Sequence, residues 1–124
     1  LLVMDAFSSD SVPVHLLTLE AFQLYLAHLA PRGVIAVNLS NNYLDLKPVV
    51  WQAAQELGLH MVLIDPPVQS YHPIGVRSRW AFLTADPAAL DAPEIHANKE
   101  SLDDYYPEIQ LWTDHYSNLF QILW

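Results

Sequence analysis

The acidic side chains that could do chemistry stand where predicted strands end. Asp5 directly follows the apolar run 1–4, and Asp10 lies further along in a serine-rich loop over 6–14. A carboxylate can bind an ammonium group, take its proton and orient the lone pair of the amine. Aspartates in loops also cap turns through Asx hydrogen bonds, without any catalytic role. The residue types alone therefore leave both interpretations of Asp5 and Asp10 open.

Several other kinds of site are disfavoured. No two of the six histidines are spaced i, i+4, and no H-E-x-x-H pattern occurs, so a zinc site is not expected. Ser8 and Ser9 lack the G-x-S-x-G elbow of a serine hydrolase. The three glycines (Gly33, Gly58 and Gly75) cannot form G-x-G-x-x-G or a P-loop, so no self-contained nucleotide site is visible. The absence of cysteine excludes disulfides and thiol catalysis.

Composition bounds the class of protein. The chain of 124 residues has room for one domain, and its 52% apolar content is enough for a core. Fourteen acidic residues against five basic ones give a net charge of -9, which disfavours nucleic acids and anionic membranes and suits cationic small molecules. Arg77 and Arg79 alternate with Val76 and Ser78 at the start of a strand, and we expect them to face solvent on one side, with a contact to an anion as the alternative.

The elements that must position these side chains follow the order β-α-β-α-β-β. Strands are predicted at 1–5, 34–39, 61–64 and 80–84, with helices following Thr18 and beginning near Pro48. This alternation predicts an α/β fold with right-handed crossovers and a mostly parallel sheet ending in an antiparallel hairpin. A single partial domain over 1–124 would then comprise the sheet and helices (1–84), an extended surface segment (85–107) and a packed C-terminal tail (108–124).

Ligands of open α/β sheets bind beyond the carboxyl ends of the strands. That rule places Asp5, the 6–14 loop, the turn 40–43 and the 65–77 loop on one rim of the sheet. No apolar run approaches the roughly 20 residues that span a bilayer, and no signal peptide is visible. Together with the absence of cysteine, this predicts a cytoplasmic protein.

Three segments carry a family resemblance: 5–18 (DAFSSDSVPVHLLT), 40–46 (SNNYLDL) and 112–120 (WTDHYSNLF). They resemble spermidine synthase-like proteins, which are aminopropyltransferases built on the Rossmann-like class I S-adenosylmethionine-dependent methyltransferase fold. The bacterial branch often fused to a membrane transporter-like region is the most similar. The resemblance covers nearly the whole chain but only the second half of the family's fold.

The resemblance implies roles for particular residues. Asp5 matches the family's catalytic base, and Asp10 matches an aspartate that holds the amine, although the gap between them is longer than is typical. Tyr71 matches a tyrosine that contacts the polyamine, while a loop tyrosine packed on the end of the sheet is the structural alternative. The co-substrate would be decarboxylated S-adenosylmethionine for aminopropyl transfer or S-adenosylmethionine for methyl transfer.

The family's glycine-rich loop and nucleoside-binding acidic residue have no counterpart here. The resemblance therefore implies a chain that binds no cofactor and is inactive alone. Because the sequence starts abruptly on a predicted strand, we interpret the chain as the later part of a longer protein. Strand 1–5 would then have an open edge, to be covered by the N-terminal half or by a second chain in a homodimer. A non-catalytic binding or assembly module that self-associates through this edge is the alternative function.

Overall fold

The chain forms a five-stranded sheet with helices, seen in a computed structural model that describes residues 1–7, 12–65 and 78–124. The strands are β1 (Leu2–Met4), β2 (Ile35–Asn38), β3 (His60–Ile64), β4 (Trp80–Thr84) and β5 (Lys99–Glu100). The α-helices are α1 (Leu19–His28), α2 (Lys47–Glu56) and α3 (Pro93–Asn98). Short 3-10 helices span Val14–Leu16, Pro87–Leu90 and Leu119–Ile122.

Both long helices begin and end where local chemistry dictates. The Thr18 hydroxyl caps α1 by accepting a hydrogen bond from the Ala21 N–H at 3.3 Å. Pro48 occupies the first turn of α2, where the missing N–H costs nothing. After α2 the chain turns at Gly58, whose φ of +64° is a left-handed conformation that favours glycine.

The sheet is mixed, which corrects the expectation of a mostly parallel one. Its strand order is β1-β2-β4-β3-β5, and β1/β2 is a parallel pair while the other three pairings are antiparallel. The α/β class and the antiparallel pairing of β3 with β4 agree with the sequence prediction. The difference arises because β4 returns between β2 and β3 and forms hydrogen bonds with both.

The core lies on one face of the sheet. Alternate residues of a strand point to opposite faces, and Ile35 and Val37 of β2 share the core face with Leu83 of β4. Phe22 of α1 and Val50 of α2 complete this cluster, and all five side chains are fully buried. On the second face, Val3, Ala36, Phe82 and Val62 form a row across four strands.

The segment 85–107, expected to be extended with room for a single turn near Pro87, is more regular than that in the structure. It contains the 3-10 helix at Pro87–Leu90, the short helix α3 and the edge strand β5. Pro93 stands in the first turn of α3, a position suited to its fixed φ angle. In the part of the chain that the structure describes, no helix has the length and apolar character required to cross a membrane.

Candidate functional site

Asp5 and Asn38 meet at the carboxyl ends of β1 and β2. The Asn38 side-chain amide donates a hydrogen bond of 2.6 Å to Oδ1 of Asp5. Asn38 itself is buried, and its side-chain oxygen accepts a hydrogen bond from the Ser40 N–H at 2.9 Å. Asp5 is exposed, so a ligand can approach the carboxylate while Asn38 fixes one of its oxygens.

The turn after β2 is tied to the chain after β1. The Asn41 side-chain amide donates to the Phe7 carbonyl at 2.9 Å. The Asn41 side-chain oxygen accepts hydrogen bonds from the N–H groups of Tyr43 and Leu44, also at 2.9 Å. These contacts bring together two of the loops that the sheet topology places on one rim.

Arg79 links this turn to the end of β3. Its guanidinium donates to Oδ2 of Asp65 at 2.9 Å, and a second carboxylate, that of Asp45, lies 3.7 Å away. The side chain of Arg79 is only 16% exposed, which corrects the expectation that it faces solvent. The reason is that both carboxylates lie at the same end of the sheet and draw the guanidinium inward.

The C-terminal tail closes over one side of the rim. Leu123 forms a β-bridge with Leu44, and the Trp124 indole N–H donates to the Asn41 carbonyl at 3.2 Å. The Trp124 ring also lies 5.7 Å from the guanidinium carbon of Arg79, within the range of a cation–π contact. The tail is therefore part of the wall of the rim.

A further ion pair connects α2 to the edge of the sheet. The Lys47 ammonium, largely buried at the start of α2, lies 2.6 Å from the Glu100 carboxylate and 4.1 Å from the centre of the Tyr105 ring. Burial raises the pKa of Tyr105 well above its ordinary value, and the negative charges of Asp45 and Glu100 add to this, while Arg79 opposes it. Tyr105 therefore remains a neutral hydroxyl in the physiological range.

The structure thus places Asp5 on the rim, whereas Asp10 and Tyr71 lie outside the described residues. Sequence reasoning missed the contact between Arg79 and Asp65. The signal was available, because a hairpin that pairs Ile64 with Trp80 sets residues 65 and 79 opposite each other. No comparable sequence pattern predicts the hydrogen bond between the Trp124 indole and the Asn41 carbonyl.

Within residues 1–7, 12–65 and 78–124, no group of three or more histidine, aspartate or glutamate side chains could hold a metal ion. The described rim instead offers three carboxylates (Asp5, Asp45 and Asp65) against one guanidinium, so it carries net negative charge. Comparisons with protein-family models, curated proteins and solved structures found no match to this chain.

Proposed function

We propose that the chain is the C-terminal part of a spermidine synthase-like aminopropyl- or methyltransferase and supplies the amine-binding side of its site. Asp5 acts as the base in this proposal, and Asp10 and Tyr71 hold the amine. The substrate class is a polyamine or another cationic amine, which fits a role in polyamine biosynthesis.

The observation that carries the proposal is the contact between Asp5 and Asn38. Amine transfer requires a carboxylate that a solvent-borne ammonium can reach and that is held in one orientation. Asp5 is exposed, and the 2.6 Å hydrogen bond from buried Asn38 restrains it. Among the described residues, the Asp5 carboxylate accepts this bond from a side chain distant in sequence, whereas a carboxylate that only caps a turn accepts from backbone N–H groups next to it.

The charge of the rim supports a cationic ligand. Asp45 and Asp65 share the single guanidinium of Arg79, so the described rim has more carboxylates than cations. A net negative site attracts an ammonium group over several ångströms and disfavours anionic competitors.

The order of elements supports the proposed fold, the second half of a Rossmann-like methyltransferase sheet. Such a sheet has a parallel pair joined through a helix and closes with an antiparallel pair, as β1-α1-β2 and β3/β4 do here. The glycine-rich loop and acidic residue that bind the nucleoside have no counterpart in the sequence. Decarboxylated S-adenosylmethionine or S-adenosylmethionine would therefore need residues supplied by another part of the protein. We place this activity in the cytoplasm, a reducing compartment that suits a chain without cysteine.

A calorimetric titration with putrescine tests the amine site. We expect saturable binding to the wild-type chain and at least about tenfold weaker binding to Asp5→Asn, which keeps the shape but removes the charge. Asp104→Asn, at another exposed aspartate, should bind putrescine like the wild type. No binding to the wild type, or equal binding to all three proteins, would overturn the proposal.

A second candidate, a non-catalytic assembly module, is favoured by the position of β1. It lies at the edge of the sheet and pairs with β2 alone among the described strands. Val3 on this strand is 55% exposed, and Leu1 beside it is 83% exposed. Apolar edge strands tend to pair with other chains, so this edge is suited to a homodimer.

The assembly candidate predicts a dimer in solution that depends on this edge. Val3→Lys places a charge on the edge strand, and it should convert the dimer to a monomer in light scattering coupled to size exclusion. Leu24→Lys, at another exposed apolar residue on α1, is the matched control and should leave the dimer intact. A wild-type monomer at all accessible concentrations would rule out this candidate.

A further inference from the structure

We propose that a cavity between β3 and the segment 87–99, separate from the rim, binds a small organic anion with an apolar body, such as a medium-chain carboxylate. The cavity has a volume of about 430 Å³, which lies in the range of small-molecule sites.

The cavity brings together one lysine and two histidines of this acidic chain, beside the carboxylate of Asp91. Lys99, His60 and His96 all line it, although the whole chain has only five lysines and arginines for fourteen carboxylates. Such a local excess of N–H donors is what an anionic head group needs in a protein whose overall field repels it.

Lys99 is available to a ligand. It is exposed at the start of β5, opposite Ile64 of β3, and within the described residues no carboxylate pairs with its ammonium group. This sets it apart from Lys47 and Arg79, which are each engaged by carboxylates of the chain.

The histidines add donors from two further elements. The imidazole of His60, at the start of β3, lies on an exposed residue and makes no hydrogen bond to the other described side chains. The Asp91 carboxylate, which also lines the cavity, lies 2.6 Å from Nε2 of His96. This contact orients the His96 ring and gives Asp91, the one carboxylate among the described residues that line the cavity, a partner within the chain.

The remaining wall is apolar. Val62 of β3, Leu90 at the end of the 3-10 helix and Ile95 of α3 line the cavity, and none of them carries a polar side-chain atom. An ion with no apolar portion would leave these surfaces in water, so a head group joined to a short hydrocarbon or ring fits better.

An NMR titration with octanoate tests this inference. We expect saturable shifts of the amide signals at 60–62 and 88–99, with weaker binding of acetate, which lacks the tail, and of octylammonium, which carries the opposite charge. Octanoate should bind Lys99→Met at least about tenfold more weakly, while Lys99→Arg keeps the charge and should retain binding.

His60→Ala and His115→Ala provide a matched pair, since His115 is also exposed but does not line the cavity. We expect His60→Ala, which removes the N–H donor, to weaken octanoate binding and His115→Ala to leave it unchanged. The inference fails if octanoate produces no saturable shifts, if octylammonium binds as well, or if Lys99→Met binds like the wild type. Because putrescine is a cation, the outcome at this cavity is independent of the outcome at the rim.

Discussion

The side-chain amide of Asn38 lies 2.6 Å from Oδ1 of Asp5 and so connects the carboxyl ends of the two parallel strands. Both functional groups of the Asn38 amide are used, because its oxygen accepts the Ser40 N–H. One buried side chain therefore sets the position of the Asp5 carboxylate and the start of the turn that follows β2.

Asn38→Asp should destabilise the fold at pH 7 by about 2 kcal/mol, because a hydrogen bond to a charged group is replaced by repulsion between two carboxylates. Urea denaturation measures the change. The loss should shrink at pH 4, where one proton can bridge the two oxygens. Asn42→Asp, at an exposed position of the same turn, is the control and should cost much less. Equal losses in the two variants would contradict the structural role of the contact.

Arg79→Met should destabilise the protein by about 2–3 kcal/mol, since it removes the guanidinium that lies between the partly buried carboxylates of Asp65 and Asp45. The double variant Arg79→Met/Asp65→Leu should recover part of this loss. Arg32 provides a matched control because its ion pair with Asp86 is exposed, and Arg32→Met should cost about 1 kcal/mol or less. Chemical denaturation of the four proteins compares these values. Similar losses of stability in Arg79→Met and Arg32→Met would mean that the ion pair between Arg79 and Asp65 stabilises the fold no more than an exposed ion pair does.

Tyr105 should make stability fall at high pH. Its pKa is raised in the folded state, chiefly by burial, so above about pH 10 the unfolded chain loses this proton while the folded chain keeps it. The stability that the folded chain gains by burying the neutral Tyr105 hydroxyl is therefore fully present below about pH 10 and is lost as the pH rises. Tyr105→Phe should show a shallower loss of stability than the wild type between pH 10 and 11.5. Tyr106→Phe, at a tyrosine that is 76% exposed, should follow the wild-type curve; a Tyr105→Phe curve with the wild-type slope would refute the assignment.

The C-terminal tail should contribute measurably to stability. Ile122 is 2% exposed, and Ile122→Ala should cost about 2–4 kcal/mol through lost burial and the cavity left behind. Phe120 is 86% exposed on the same 3-10 helix, so Phe120→Ala should cost less than about 0.5 kcal/mol. Thermal or urea denaturation distinguishes the two, and a negligible effect of Ile122→Ala would show that the tail does not dock in solution.

The predictable part of the fold was the part controlled by local signals. Thr18 as a cap, Pro48 in a first turn and the left-handed Gly58 each act on neighbouring residues, so sequence alone located the two long helices, α1 and α2, but not α3. The position of β4 between β2 and β3 depends on which edge of β2 remains open, which is a non-local choice. For this reason the α/β class was correct and the expectation of a mostly parallel sheet was wrong.

The same distinction applies to the site. Asp5 could be placed on the rim because it ends a strand, and the carboxyl ends of β1 and β2 lie at one edge. The inward position of Arg79 depends on carboxylates 14 and 34 positions earlier in the chain, at Asp65 and Asp45. Alternation along the strand predicts the face on which a side chain lies but not the partners beyond the strand end.

The most direct test of amine binding at Asp5 follows the ¹³C NMR signal of each aspartate carboxyl group during a titration with putrescine. If the rim binds amines through Asp5, its carboxyl signal shifts saturably, the signal of Asp104 stays in place, and Asn38→Asp alters the Asp5 response. A stationary Asp5 signal at putrescine concentrations that shift other carboxyl groups would contradict the assignment of the amine site to Asp5.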